Sequence, residues 1–157
     1  MKKIPVLLSV MIFAATTAFA QDMNSSDHMM KHSGMHAMNQ SDDGRISLGL
    51  GPMQKQHQLA NMRSHLKAVQ SIVGLISAGE FNEASKVAHK KLGLTPEMQQ
   101  MCNNMSTNKE FKSMGLAFHQ SGDELGEVLK SKDLKRSLKA LHTTMNYCIS
   151  CHATFRQ

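Results

Sequence analysis

Apolar residues in this chain recur at steps of three and four, and no run alternates with period two over a useful length. Leu59, Met62, Leu66, Val69, Val73 and Ile76 form one such stripe, which Gly79 ends. A second, shorter helix is predicted from about Glu80 to Lys91, with Phe81, Ala84, Val87 and Ala88 inward and Gly93 closing it. Thr95-Pro96-Glu97 is a helix start, with Thr as the cap and Pro in the first turn. Ser106-Thr107-Asn108 interrupts, and Thr107 with Glu110 fits a capping box. Phe111, Met114, Phe118, Leu125 and Val128 mark a third long helix. After the turn Ser131 to Asp133, a last stripe runs through Leu134, Leu138, Leu141, Met145, Cys148, His152 and Phe155. The pattern predicts an all-α fold, an antiparallel four-helix bundle over residues 45–157.

The segment before the bundle divides in two. Residues 1–20 carry Lys2-Lys3, an apolar run from Ile4 to Phe13 and the ending Ala18-Phe19-Ala20, the layout of a cleaved signal peptide. Export to the periplasm is the expectation, and the chain after cleavage has no run long enough to span a membrane. Residues 21–44 contain no Val, Ile, Leu or Phe and cannot bury enough apolar surface to offset ordering, so a disordered tail is expected. Removing the signal takes two lysines, leaving 16 basic against 12 acidic residues. That balance is too mild to argue for nucleic acid. Five aromatic residues remain after cleavage: Phe81, Phe111, Phe118, Phe155 and Tyr147. A core so poor in large side chains must be filled by Leu, Met and Val, or by something other than an amino acid.

The sharpest motif is Cys148-Ile149-Ser150-Cys151-His152. On a helix the two cysteines lie on one face, within reach of the two vinyl groups of one porphyrin. The imidazole of His152 can then ligate iron from the proximal side, so C-x-x-C-H reads as a c-type haem attachment site. A thioredoxin-like pair would need a βαβ context, and a zinc site would need further ligands at regular spacing; neither is present. A structural disulfide explains the cysteines but not the adjoining histidine.

With this motif at the C-terminal end of a helical pattern, continued as His152-Ala153-Thr154-Phe155-Arg156, the chain resembles the class II c-type cytochromes, cytochrome c′ and its c556-type relatives. The resemblance covers about Gln54 to Gln157. It implies one covalent haem c per chain on Cys148 and Cys151, with His152 the proximal iron ligand and Arg156 a basic residue near the haem. It also implies single-electron exchange with periplasmic redox proteins rather than enzymatic turnover, and it allows a homodimer.

In that family a residue of the first helix faces the distal side of the iron. Counting back from Ala78-Gly79-Glu80 reaches Arg63, and its neighbour Met62 lies on the apolar stripe. Met62 is therefore the candidate sixth ligand, suited to an electron carrier. His65 is a second candidate, as ligand or hydrogen-bond donor. Leu59 or Leu66 over the iron would instead leave an open site that binds nitric oxide or carbon monoxide, the gas-binding alternative.

Two further clusters carry soft donors. In the tail, His28, Met29, Met30, His32, Met35, His36 and Met38 interleave imidazole with thioether, a set suited to Cu(I) or Cu(II), which makes copper handling a third function class. Met98, Met101, Cys102 and Met105 fall near one helix face, where core is the expectation. His57, His89, His119 and His142 are expected at the surface or boundary.

Overall fold

The computed structural model describes residues 43–157, so the signal-like segment and the Met/His-rich stretch lie outside the described residues. The described chain is mostly helical. Its elements are β1 (Ile46–Ser47), α1 (Pro52–Ser77), α2 (Phe81–Leu92), α3 (Pro96–Met105), α4 (Lys109–Leu129), α5 (Leu134–Thr154) and β2 (Phe155–Arg156). An all-α fold is what the three-and-four spacing implied. None of the described helices is long and apolar enough to cross a membrane.

Local chemistry sets the helix ends. Pro52 and Pro96 open α1 and α3, where the missing N–H costs nothing. Thr95 caps α3 by accepting from the Met98 N–H. Asp133 Oδ1 accepts from the Arg136 N–H at 2.9 Å to cap α5. The cap of α4 is Asn108, whose Oδ1 accepts from the Phe111 N–H at 2.9 Å. It is not the expected Thr107; the helix starts one residue later, so the Asn108 carboxamide oxygen is the acceptor for the first-turn donors. Gly79, at φ +77°, turns the chain out of α1 in a conformation that a β-carbon would strain.

Helix α2 packs on both α1 and α4, and α4 packs on α5. The main core lies where these meet: Ile72 and Ile76 of α1, Ala84, Ala88 and Leu92 of α2, Leu125 and Leu129 of α4, and Leu141 of α5. Burying such a side chain contributes about 1.5–3 kcal/mol. Polar links fix the packing. Ser85 Oγ donates to the Gly126 carbonyl at 2.7 Å, and Thr144 Oγ1 donates to the Ser121 carbonyl at 3.1 Å. His119, expected near the surface, is buried; its Nδ1–H donates to the Leu92 carbonyl at 2.8 Å, which satisfies it there. A smaller cluster of Met105, Phe111 and Phe155 lies apart, with the Phe111 and Phe155 rings edge-on at 5.5 Å.

The inward stripes differ in part from expectation. On α1, Leu66 is 70% exposed and Val73 49%, while Gln58, Ala68, Val69, Ile72 and Ile76 are buried. Met62, Val69 and Ile76 keep their expected inward places, while Gln58, His65 and Ile72 face in beside the more exposed Leu59, Leu66 and Val73. On α5, Leu134, Leu138 and Met145 are exposed, and small polar Ser137 and Thr144 hold the buried face with Leu141. Thr144 wins that place because its hydroxyl bonds α4's backbone.

The tightest approach is α2 against α4 at Gly122, where a β-carbon would collide with the Leu92 carbonyl and come within 2.8 Å of Leu92 Cβ. Gly122→Ala should therefore destabilise the fold by about 2 kcal/mol or more, whereas Gly74→Ala, inside α1 with nothing within 4 Å, should stabilise it by about 0.5–1 kcal/mol. Urea unfolding of the two variants measures the difference.

Candidate functional site

Beside the main core, α1, α3, α4 and α5 border a partly open cavity of about 480 Å³. Its walls bring together Cys148, Cys151 and His152 from α5 with Met62 and His65 from α1. Met98, Met101, Cys102 and Met105 come from α3, and Phe111, Met114, Phe118 and His119 from α4. Leu59 lines the cavity too; Leu66 does not, because it faces outward. Arg45 and Arg156 stand at the same wall.

The register of α5 explains the cysteine placement. Cys148 and Cys151 continue the inward face begun by Leu141 and Thr144, at the same steps of three and four. Both are free and half-buried, and burial raises both thiols above their ordinary value. Cys151 is raised further by its neighbour Cys148. They are neutral thiols near pH 7. Cys102 is a third free thiol, likewise raised by burial, and so a poor nucleophile. His152, one step beyond Cys151, is exposed but still borders the cavity, and its backbone carbonyl accepts from Arg45 Nη1.

The α1 wall is an imidazole set in aromatic surroundings. The His65 ring lies 4.9 Å from Phe118 and 5.3 Å from His119, centre to centre. Desolvation, helped by nearby His119, pushes the His65 pKa down to about 4. His119 is also lowered by burial, against the pull of its bond to Leu92. Both rings are thus uncharged at neutral pH. Met62 is one turn before His65 on the same face, with no hydrogen-bond partner needed for its thioether.

The polar lining includes unmet acceptors. Gln58 Oε1 and Gln157 Oε1 are both buried at this cavity without a partner. Arg156 Nε lies 3.9 Å from Asp43 Oδ1, and Asp43 pairs more closely with Arg45 Nε at 2.9 Å. Guanidinium and carboxamide groups together suit a ligand that is largely apolar but has acidic substituents at one edge.

Motif spacing made Cys148, Cys151 and His152 candidates and the family resemblance added Met62; all four line the cavity. His65 was the secondary candidate and lies beside them. Gln58, His119, Cys102 and the α3 methionines were missed as lining residues. The burial of polar Gln58 has no sequence signal beyond its spacing from Met62 and His65. The tail donors His28 to Met38 lie outside the described residues. Among the described residues, no group of three or more His, Cys, Asp or Glu side chains converges as a metal site.

No protein-family model matches the chain, no curated protein is similar to it, and no solved structure matches its fold.

The lowered His65 pKa has a sign that can be measured. A histidine depressed in the folded state takes up a proton more readily when unfolded, so stability is full above about pH 6.5 and falls as pH drops towards 4. The loss attributable to His65 is up to about 3 kcal/mol. Urea unfolding of the parent and of His65→Phe at several pH values should show that part of the acid slope vanish in the variant.

Proposed function

We propose that the chain is a periplasmic c-type cytochrome of the class II kind, an antiparallel four-helix bundle that carries one covalent haem and passes single electrons to redox proteins. The observation that carries this reading is the convergence, on one cavity, of the C-x-x-C-H residues of α5 with Met62 of α1. Bound haem supplies a one-electron couple.

The residues fit that group. Cys148 and Cys151 stand one helical turn apart on the cavity wall, a spacing at which both could form thioether links to one porphyrin. His152 follows at the cavity border, as a proximal ligand must. The wall between α1 and α4 is apolar and soft, with Met62, Met114 and Phe118 able to bear on a flat ring. Arg45, Arg156, Gln58 and Gln157 are the donors for propionate carboxylates; a carboxamide turned over presents its NH2 where an unpaired oxygen now sits.

Met62 is the distal ligand in this reading. Its flexible thioether is uncommitted, whereas the His65 ring is held against Phe118 and His119. His65 serves as a neutral wall and hydrogen-bond partner beside it. A neutral distal side adds no fixed charge to the iron, and a thioether ligand favours the reduced form.

Expressed where haem is attached, the exported chain should gain the mass of one haem and show six-coordinate, low-spin spectra in both oxidation states. Cys148→Ser with Cys151→Ser should lose the covalent pigment. Met62→Ala should give a high-spin ferrous form that binds carbon monoxide, with a lower reduction potential; His65→Ala should stay low-spin. A parent protein that is high-spin and binds carbon monoxide when reduced would favour the gas-binding alternative. A mass equal to the bare polypeptide would end the haem reading altogether.

A further inference from the structure

Where the start of α1 meets the end of α3 the fold assembles a second set of soft donors. A shallow pocket of about 340 Å³ lies between the first two turns of α1 and the end of α3. Four of its six lining residues are Met53, His57, Met101 and Met105; the others are Gln54 and Asn104. Met53 and His57 are one helical turn apart, as are Met101 and Met105, so each helix presents a pair to the gap. The pairs meet across 44 residues of sequence: His57 Nε2 lies 3.2 Å from Met101 Sδ. Asn61 Nδ2 donates to the same sulfur at 2.8 Å and holds it toward α1. Nothing in the spacing along the chain revealed this meeting, since His57 read as a surface residue and Met101 as core.

We infer that Met53, His57, Met101 and Met105 form a binding site for one soft monovalent cation of the Cu(I) class. Three thioethers and an imidazole are the donor set that such an ion prefers. A nitrogen and a sulfur bound to one small ion sit within about 4 Å of each other, close to the His57–Met101 spacing found here. The pocket has no carboxylate to serve magnesium or calcium, and no thiolate to serve structural zinc. Its amide side chains are engaged elsewhere or weak competitors: Gln54 Oε1 accepts from the Gly51 N–H at 3.1 Å. Met53 is 84% exposed and free to swing over a bound ion, while Met105 is buried and forms the floor. The site shares Met101 and Met105 with the wall of the larger cavity, whereas Met53 and His57 lie outside that cavity.

The test uses the full mature chain as expressed and reduced, whether or not it carries haem, with each Met and His between Gln21 and Gly44 replaced by Ser. Anaerobic Cu(I) is titrated while the methionine methyl resonances are followed. The methyls of Met53, Met101 and Met105 should move together and saturate at one equivalent. His57→Ala should weaken the binding at least about tenfold, and Met53→Ala by a smaller factor. Both replaced residues are exposed, so the variants keep the fold. The proposal is overturned if those methyls do not move, if Met62, Met98 or Met114 move in their place, or if His57→Ala titrates like its parent. It is equally overturned if Zn(II) competes on equal terms. Haem attachment is read separately, from mass and spectrum.

Discussion

The close contact between α2 and α4 is the constraint on which the rest of this structure depends. Gly122 and Gly126 remove two side chains from α4 at the places where Leu92 and His89 of α2 come closest. Two helices can then approach closely enough for Ser85 and His119 to bond across to backbone carbonyls. That contact concentrates Leu92, Leu125, Leu129, Ile72 and Ile76 in one part of the fold. Helix α2 stops at Leu92, and the short α3 takes a different course. The space bordered by α1, α3, α4 and α5 is the consequence: three long helices extend past the last layer of core that α2 can fill.

The walls of that space differ in kind from the core. Branched aliphatic side chains fill the core and leave little freedom. The cavity is lined largely by methionine, cysteine, phenylalanine and histidine, whose polarisable or flat side chains adapt to a planar guest. Burial keeps its imidazoles and thiols uncharged at neutral pH. Among the described residues that line it, the side chains with fixed charge are Arg45 and Arg156, beside Asp43. A neutral interior with a cationic lip suits a guest that is apolar in the middle and acidic at one side.

Much of this was legible in the chain. Helical spacing, the proline start at Pro96 and the signals at Thr95 and Gly79 gave elements close to those observed, although α1 begins at Pro52, which read as part of a connector. Cys148, Cys151 and His152 carry a spacing with few competing explanations. What escaped was register and everything that register decides. Along α1 an apolar count favours Leu59, Leu66 and Val73, yet the helix turns His65 and Gln58 inward, because the neighbouring face needs polar and aromatic partners as well as oil. Period alone cannot tell those two faces apart when they differ by a single residue. On α5 the same ambiguity hid Ser137 and Thr144, whose value lies in small size and a hydroxyl that reaches α4. The approach of His57 to Met101 was beyond reach, since it depends on how α3 leans on α1.

The two-residue pairing of β1 with β2 looks minor, yet it closes the longest circuit in the described chain. Ile46 sits beside Phe155, Leu48 N–H donates to the Arg156 carbonyl at 2.9 Å, and Arg45 reaches the His152 carbonyl across 107 positions of sequence. Bringing such distant points together costs loop entropy and is rewarded by few bonds. This clasp is thus among the last features to form and the first to fray, while the helices behind it stay intact. Arg45 and Leu48 border the cavity, so the clasp ties the segment that leads into α1 to the end of α5 at the edge of that space.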